Sequence, residues 1–243
     1  PYGYISFRRD ITHLLHPDEN VVAVRVDNEL QPNSRWYSGC GIYRHVWMVK
    51  TEAIHVDNWG TYVTTPIVND NEATVNVATR LRNTTSDSVS VSVAQYILDA
   101  NGKIVATADG RMNIAPDTTA EESIQLQLTT PRRWSVEDPY LYIVRTEVIH
   151  NGIVIDTYDT PFGVRTFRFD TKEGFFLNGK HICLHGVNYH QDSYESGWAM
   201  DDIQRNRDWD IMRNLGCNAI RMAHYQHCED EYDLCDRYGI CVW

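Results

Sequence analysis

No stretch of this 243-residue chain approaches the roughly eighteen consecutive apolar residues that a membrane-spanning helix needs. The N-terminus also lacks the basic-then-apolar pattern of a signal peptide, which leaves the compartment open between cytoplasm, periplasm and exterior for a chain expected to be soluble. Positive charge is scarce: Lys and Arg number 22 against 33 Asp and Glu, a formal charge of -11. Nucleic acids and anionic membranes attract basic surfaces, so neither is expected as a partner, and a neutral or cationic small molecule suits the chain better. Cysteine is absent from residues 51 to 166, while Cys183, Cys217, Cys228, Cys235 and Cys241 crowd the C-terminal end. That spacing resembles no small disulfide scaffold, and thiols in apolar strand-like runs (Cys183, Cys217, Cys241) are expected to behave as small buried hydrophobes. What is present, 42% hydrophobic and 11% aromatic residues, is enough to bury a sizeable core.

Three textures follow one another. From Tyr4 to Lys50, Val21-Val22-Ala23-Val24-Arg25-Val26 and Val46-Trp47-Met48-Val49 read as strands separated by a polar loop. From 51 to 166 the pattern alternates with period two. Ala73, Val75, Val77, Thr79 and Leu81 should share one face, Val89, Val91 and Val93 alternate with serines, and Ile124, Leu126 and Leu128 alternate with glutamines. Turn signals fall at Asn101-Gly102, Asp109-Gly110 and Asn151-Gly152. About seven short strands in such a stretch predict an immunoglobulin-like sandwich without the antibody-type disulfide. Asn83-Thr84-Thr85 also fits a glycosylation sequon.

After Asn178-Gly179 strands and helices alternate. Ile182 to Val187 reads as a strand, then come a helix from about Asp201 to Leu215 stopped by Gly216, a strand Cys217 to Met222, a helix from about Glu229 to Tyr238 stopped by Gly239, and a strand opening at Ile240. Trp209, Met212 and Leu215 recur at helical spacing and are expected in the core. The order β-α-β-α-β is that of a parallel sheet, and 167 to 243 is far short of the roughly 250 residues of a closed eight-fold barrel.

The chemistry-bearing residues lie at the ends of the apolar runs. Gly186-Val187-Asn188-Tyr189-His190-Gln191-Asp192 and Asn218-Ala219-Ile220-Arg221-Met222-Ala223-His224-Tyr225 each begin apolar and finish polar. In a parallel α/β barrel, catalytic and binding groups come from the C-terminal ends of strands, which singles out His190, His224, Arg221 and Asn188. Neutral imidazole offers one donor and one acceptor, suited to hydroxyl groups. Arg221 could alternatively be an interior ion-pairing residue beside a carboxylate. His224-x-x-His227-Cys228 has zinc-ligand types but lacks the second paired cluster of a structural zinc site, so no metal is assigned.

Six motifs in order resemble the family 2 glycoside hydrolases, the β-galactosidase and β-glucuronidase group. Ser34-Arg35-Trp36-Tyr37-Ser38-Gly39-Cys40-Gly41-Ile42-Tyr43-Arg44 is similar to the stretch closing the family's jelly-roll domain. Trp134 to Tyr142 and Phe162-Gly163-Val164-Arg165-Thr166 are similar to the end of its immunoglobulin-like domain. Phe176 to His190, Asn218 to Tyr225 and Tyr232-Asp233-Leu234-Cys235-Asp236 are similar to the opening of its TIM barrel. The resemblance implies a mainly β, multidomain chain: the C-terminal part of a jelly-roll over 1–50, a β-sandwich over 51–166 and the N-terminal part of a (β/α)8 barrel over 167–243.

It further implies a retaining mechanism with two carboxyl groups roughly 5 to 5.5 Å apart. The family's catalytic glutamates lie on later barrel strands and have no counterpart before Trp243, so no catalytic residue is expected within the chain, which alone should be inactive. His190 and His224 would contact sugar hydroxyls, Arg221 would orient a nearby carboxylate, and Asn188 would line the rim. Arg35 stands where lactose-cleaving enzymes and glucuronidases carry an aspartate that touches the sugar. Other β-galactosidase-like members share the Ser-Arg-Trp-Tyr stretch, which tilts the expected substrate toward a β-galactoside, with Arg35 and Trp36 as further candidate contacts. β-Glucuronidase or β-mannosidase activity, or a non-catalytic carbohydrate-binding sandwich, are the rival readings. No cofactor is required from this segment, a divalent metal would belong to the later barrel portion, and assembly as a homo-oligomer is compatible with the family.

Overall fold

The computed structural model describes residues 3–29 and 41–243, in two compact units. One unit comprises Met48–Leu184 and Leu234–Ile240, and the other is built from 1–47, His185–Asp233 and Cys241–Trp243.

The first unit holds the predicted sandwich. Strands β1 (Ile54–Val68), β2 (Glu72–Asn83) and β5 (Thr119–Thr129) form one antiparallel sheet in the order β1-β2-β5. Strands β3 (Val89–Leu98), β4 (Ile104–Ile114), β6 (Tyr142–His150) and β7 (Ile153–Phe162) form the other in the order β4-β3-β6-β7. The period-two reading is met closely: Ala73, Val75, Val77, Thr79 and Leu81 are all fully buried, with Val91, Val93, Ile124, Leu126 and Leu128 in the same core. Each such aliphatic side chain contributes about 1.5–3 kcal/mol on burial. The buried amide of Gln95 donates to Thr79 Oγ1 at 2.8 Å, so the polar pair inside this core is matched. Asn151 (φ 52°) and Gly152 (φ 78°) take the left-handed geometry of a two-residue hairpin turn, as the sequence predicts.

One expectation fails here. Asp109-Gly110 is no turn but lies inside β4, where a Cβ on Gly110 would stand 2.9 Å from Glu122 Oε1 and 3.0 Å from Ile124 Cδ1. The glycine serves close approach rather than chain reversal. The sequon asparagine, Asn83, is fully buried and its Nδ2 donates to the carbonyls of Asp87 (2.8 Å) and Ala115 (3.1 Å), so it closes a loop instead of presenting an amide to solvent.

The same unit continues into a small antiparallel sheet of β8 (Phe167–Asp170), β9 (Gly174–Leu177) and β10 (Lys180–His181). Trp134 anchors its centre. The indole Nε1 donates to Asp236 O at 2.7 Å, the Asn178 side chain donates to Trp134 O at 2.9 Å, and a Cβ on Gly163 would meet the Trp134 side chain at 2.7 Å.

The second unit carries a parallel sheet in the order β11-β12-β13: β11 (Gly186–Tyr189), β12 (Ala219–Met222) and β13 (Cys241–Val242). Helix α1 (Asp202–Asn214) is capped by Asp201, whose carboxylate accepts from Gln204 N at 2.8 Å, and Gly216 (φ 77°) follows its end. Helix α2 (Glu229–Tyr238) spans the range read from sequence, and Gly239 (φ 73°) closes it. This is the β-α-β-α-β opening of a barrel that three strands leave unclosed.

The strand expected at Ile182–Val187 begins only at Gly186, because the ladder to β12 starts at Gly186↔Ala219. Cys183 is consequently exposed rather than buried, while Cys217 and Cys241 are half-buried, and none of the five described cysteines is in a disulfide. Trp209 and Met212 are core residues, but Leu215 is 71% exposed, since it is the residue at which α1 ends. The runs Val21–Val26 and Val46–Val49 form no strand among the described residues, and their side chains are exposed. Strand pairing needs a neighbouring ladder, and the described residues supply none to these runs.

Candidate functional site

The parallel register sets Asn188 directly opposite Arg221 and Tyr189 opposite Met222. Alternation along each strand then sends Tyr189 and Met222 inward, with Met222 buried, and leaves Asn188 and Arg221 exposed on the other side. Arg221 Nη1 donates to His224 Nδ1 at 2.7 Å and lies 3.4 Å from Asn188 Oδ1.

His190 and His224 follow the two strand ends, and their rings meet edge to face, centroids 5.2 Å apart at 84°. Four of the six residues singled out from sequence are thus brought to one place. Arg35 and Trp36 lie outside the described residues.

Behind the histidines stands an aromatic wall. Tyr4 stacks on Tyr225 (4.5 Å, 10°), Trp198 packs against Tyr4, Tyr43 and Tyr225, and His190 approaches Tyr225 at 6.0 Å. Burial, and next the neighbouring Asp192, push the Tyr225 phenol up to about 12, so it is a neutral hydrogen-bonding group at physiological pH. His224 is held below the usual imidazole range by desolvation first, then by the Arg221 guanidinium and by His190.

Residues not singled out from sequence hold this arrangement. Arg44 donates to Tyr4 O (2.5 Å), to Gln191 Oε1 (3.2 Å) and to Gln226 O, so one guanidinium ties the loop after β11 to the loop after β12. Gln191 is buried and also accepts from Cys228 N at 3.3 Å. Beneath the strands, Glu231 is fully buried; it accepts from Trp209 Nε1 and lies 3.4 Å from Arg205 Nε. Desolvation raises its carboxyl to about 7. His227, also buried, is pushed down to about 4 by desolvation, and its Nε2 lies 3.5 Å from Ala223 O. The motif Gly41-Ile42-Tyr43-Arg44 is visible in the sequence, but nothing local to it marks Arg44 as a tie between segments far along the chain.

Among the described residues, His45, Asp202 and Asp230 form a group with ligand atoms within 4.8 Å of one another. Arg205 Nη1 donates to Asp202 Oδ1 at 2.6 Å and to Asp230 Oδ2 at 3.3 Å, so the cationic position in this cluster is met by a guanidinium. No helix among the described residues is long and apolar enough to cross a membrane.

Chemically, Asn188, His190, Arg221 and His224 form a patch of directional donors and acceptors beside aromatic faces. Such a patch suits a polyhydroxylated ligand better than an apolar one. Comparison with known proteins gives the family. The family description "Glycosyl hydrolases family 2" matches residues 54–165, and "Glycosyl hydrolases family 2, TIM barrel domain" matches 170–243. The chain belongs to glycosyl hydrolase family 2. Its sequence is 44% identical to the β-galactosidase BoGH2A of Bacteroides ovatus over the whole of this chain and 29% of that protein. It is 32% identical to a β-glucuronidase of Bacteroides fragilis over 99% of this chain and 36% of that protein. Among solved structures, a family 2 member from Bacteroides cellulosilyticus superposes with a TM-score of 0.84 at 34% identity, covering 89% of this chain and 30% of that one. The chain thus spans between 29% and 36% of the length of these relatives.

Proposed function

We propose that this chain is part of a retaining glycoside hydrolase acting on terminal β-D-galactosides, to which it contributes a sugar-binding half-site and no catalytic carboxylate. The observation that carries the reading is the convergence of Asn188, His190, Arg221 and His224 at two adjacent parallel strand ends. The choice of galactoside rests on the 44% identity to a β-galactosidase. In this reading residues 1–50 close a jelly-roll, 51–166 are the sandwich and 167–243 open the barrel. His190 and His224 hold ring hydroxyls through contacts that tighten as the sugar approaches the oxocarbenium-like transition state, and Arg221 orients a carboxylate supplied by a later strand.

The test is a panel of 4-nitrophenyl glycosides on the protein containing this chain. The β-galactoside should be turned over in preference to the β-glucuronide and β-mannoside. His190→Ala and His224→Ala should each lower kcat/KM by roughly 10- to 100-fold, the worth of a transition-state hydrogen bond. Preference for the β-glucuronide would favour the second reading, a β-glucuronidase, which the similarity to the Bacteroides fragilis enzyme supports. The 243-residue chain alone should hydrolyse none of them, and measurable turnover by it would sink the half-site reading.

A further inference from the structure

We infer that the solvent face of the β1-β2-β5 sheet carries a second carbohydrate site, a shallow trough over Ala78 that takes a neutral β-linked oligosaccharide with one sugar ring stacked on Tyr62. The site is separate from the half-site at the barrel strand ends and stands on different residues. Alternation turns Val63, Val77 and Ile124 to the sandwich core, which leaves their chain neighbours Tyr62, Ala78 and Ser123 on the outer face. The register lines these three up across the sheet, Tyr62 opposite Ala78 and Ala78 opposite Ser123, and one row further along it does the same for Thr64, Asn76 and Gln125. Tyr62 is 71% exposed, and the small side chains of Ala78 and Ser123 form a low floor beside it. With strands about 4.8 Å apart and outward rows about 6.8 Å apart, that floor is about 10 Å long, the reach of a disaccharide.

The chemistry of the walls selects the ligand. One face of a pyranose ring presents C–H bonds and its rim presents hydroxyls, so an exposed aromatic ring beside carboxamides meets both. Gln125 Nε2 donates to Asn76 Oδ1 at 3.1 Å, a bond that keeps the Asn76 NH2 group and the Gln125 carbonyl oxygen available as a donor and an acceptor for hydroxyls. Both rows are uncharged, and in the next row, Arg80 opposite Glu121, the cation is engaged by Asp57 at 3.0 Å, so the trough suits a neutral sugar rather than an acidic one. The same ion pair supports a bulge in β1. The register shifts between Val56 and Thr61, and Trp59 takes a left-handed backbone (φ 49°) that large side chains rarely adopt. Buried Asp57 accepts from Asn58 N at 2.8 Å, and a Cβ on Gly60 would stand 2.7 Å from Arg80 O, so the chain is fixed on both sides of Trp59. A bulge on an edge strand re-aims a side chain, and this one displays an indole that is 56% exposed, three residues from Tyr62. Apart from these two rings the face is polar, and it lacks the apolar centre that pairing with a second copy would need.

The test is titration of the 15N-labelled 243-residue chain with cellohexaose and with β-linked galactohexaose, followed through the side-chain N–H signals of Trp59, Asn76 and Gln125, with a β-linked glucuronan hexamer as the acidic control. At least one neutral hexasaccharide should shift these signals saturably, and the acidic hexamer should bind more weakly. Tyr62→Ala should weaken binding about tenfold, the worth of a lost aromatic stack, while Tyr62→Phe should keep it and Trp59→Ala should weaken it by a smaller factor. Ala78→Gln, which fills the floor, should give a loss by an independent route should Tyr62→Ala fail to fold. His190→Ala should leave the shifts at Trp59, Asn76 and Gln125 unchanged, so the outcome here and the outcome of the glycoside panel are independent. No saturable shift with either neutral probe, equal binding by Tyr62→Ala, tighter binding of the acidic hexamer, or loss of the shifts in His190→Ala would each overturn the proposal. Self-association that Tyr62→Ala abolishes would overturn it too, because the face would then be an interface between copies of the chain.

Discussion

The sandwich and the opening of the barrel bury their residues by opposite strategies. In the sandwich the core is a continuous set of aliphatic side chains from two antiparallel sheets, and its buried polar groups, such as Gln95 with Thr79, pair with neutral partners. In the barrel opening the strands are two to four residues long, and much of what lies beneath them is ionisable: Arg205, Glu231 and His227 are all buried. An aliphatic core is indifferent to pH and specific mainly through shape. A core of charges is specific through pairing and vulnerable wherever one partner is lost. The difference fits the proposed division of labour, in which the region that presents Asn188, His190, Arg221 and His224 also holds the polar scaffold beneath them.

The sharpest way to break the comparison is Arg205→Met. It removes the cation beside Glu231 and leaves a buried carboxyl without its counter-charge, a loss of about 3–5 kcal/mol. Amide hydrogen exchange should show protection lost in α1 and β11 to β13 and kept in β1 to β7. Loss spread evenly over both regions would mean that they unfold as one. The converse variant, Leu81→Ala, opens a cavity in the aliphatic core and should cost about 2–5 kcal/mol, read as a lower midpoint of the sandwich transition in chemical denaturation.

The two strategies also predict different pH behaviour. The folded carboxyl of Glu231, raised to about 7 by burial, holds a proton that the unfolded chain releases near 4.5. Its contribution is therefore complete at low pH and is lost as pH rises through 7. His227, lowered to about 4, works in the other sense: the buried neutral ring favours folding above the unfolded value of 6.5, and that advantage is lost as pH falls toward 4. Between about pH 4.5 and 6.5 the two oppose each other. The two limbs should therefore largely cancel in the unsubstituted chain, leaving a shallow fall only between about pH 6.5 and 7; Glu231→Gln should uncover the His227 rise in stability from about pH 4 to 6.5, and His227→Gln should uncover the Glu231 fall from about pH 4.5 to 7. Each effect is on the order of 2–3 kcal/mol. The sandwich transition should barely move over the same range, and a parallel shift in both would refute the contrast.

Legibility in the sequence follows the same divide. Period-two alternation located the sandwich core because each strand carries its own pattern, as Ala73 to Leu81 do. Helix ends were readable because Asp201, Gly216 and Gly239 act locally. His190 and His224 stand out in the sequence because a strand that ends in polar residues is a local signal too. Gly110 was misread as a turn because what demands a glycine there is Glu122 and Ile124 on another strand. Arg44 and Gln191 stand within motifs of the sequence and Glu231 within a helix, but nothing in the sequence gives them these roles. Their roles depend on partners that only the fold supplies: Arg44 reaches across 147 residues to Gln191 and 182 to Gln226.

Arg44 permits a smaller test of whether the polar scaffold or the strands themselves hold the site. Arg44→Gln removes a guanidinium shared by Tyr4, Gln191 and Gln226, and the lost charge-assisted bonds amount to about 1.5–3 kcal/mol. Because β11 and β12 keep their own ladder, the sheet should survive, with the loss concentrated in the loops that begin at His190 and Ala223. Hydrogen exchange should therefore rise in those two loops while β11 and β12 stay protected. In the protein containing this chain, the same variant should raise KM for the preferred glycoside more than it lowers kcat. An effect on kcat alone, with loop exchange unchanged, would mean that the strands hold the histidines unaided and that Arg44 acts elsewhere.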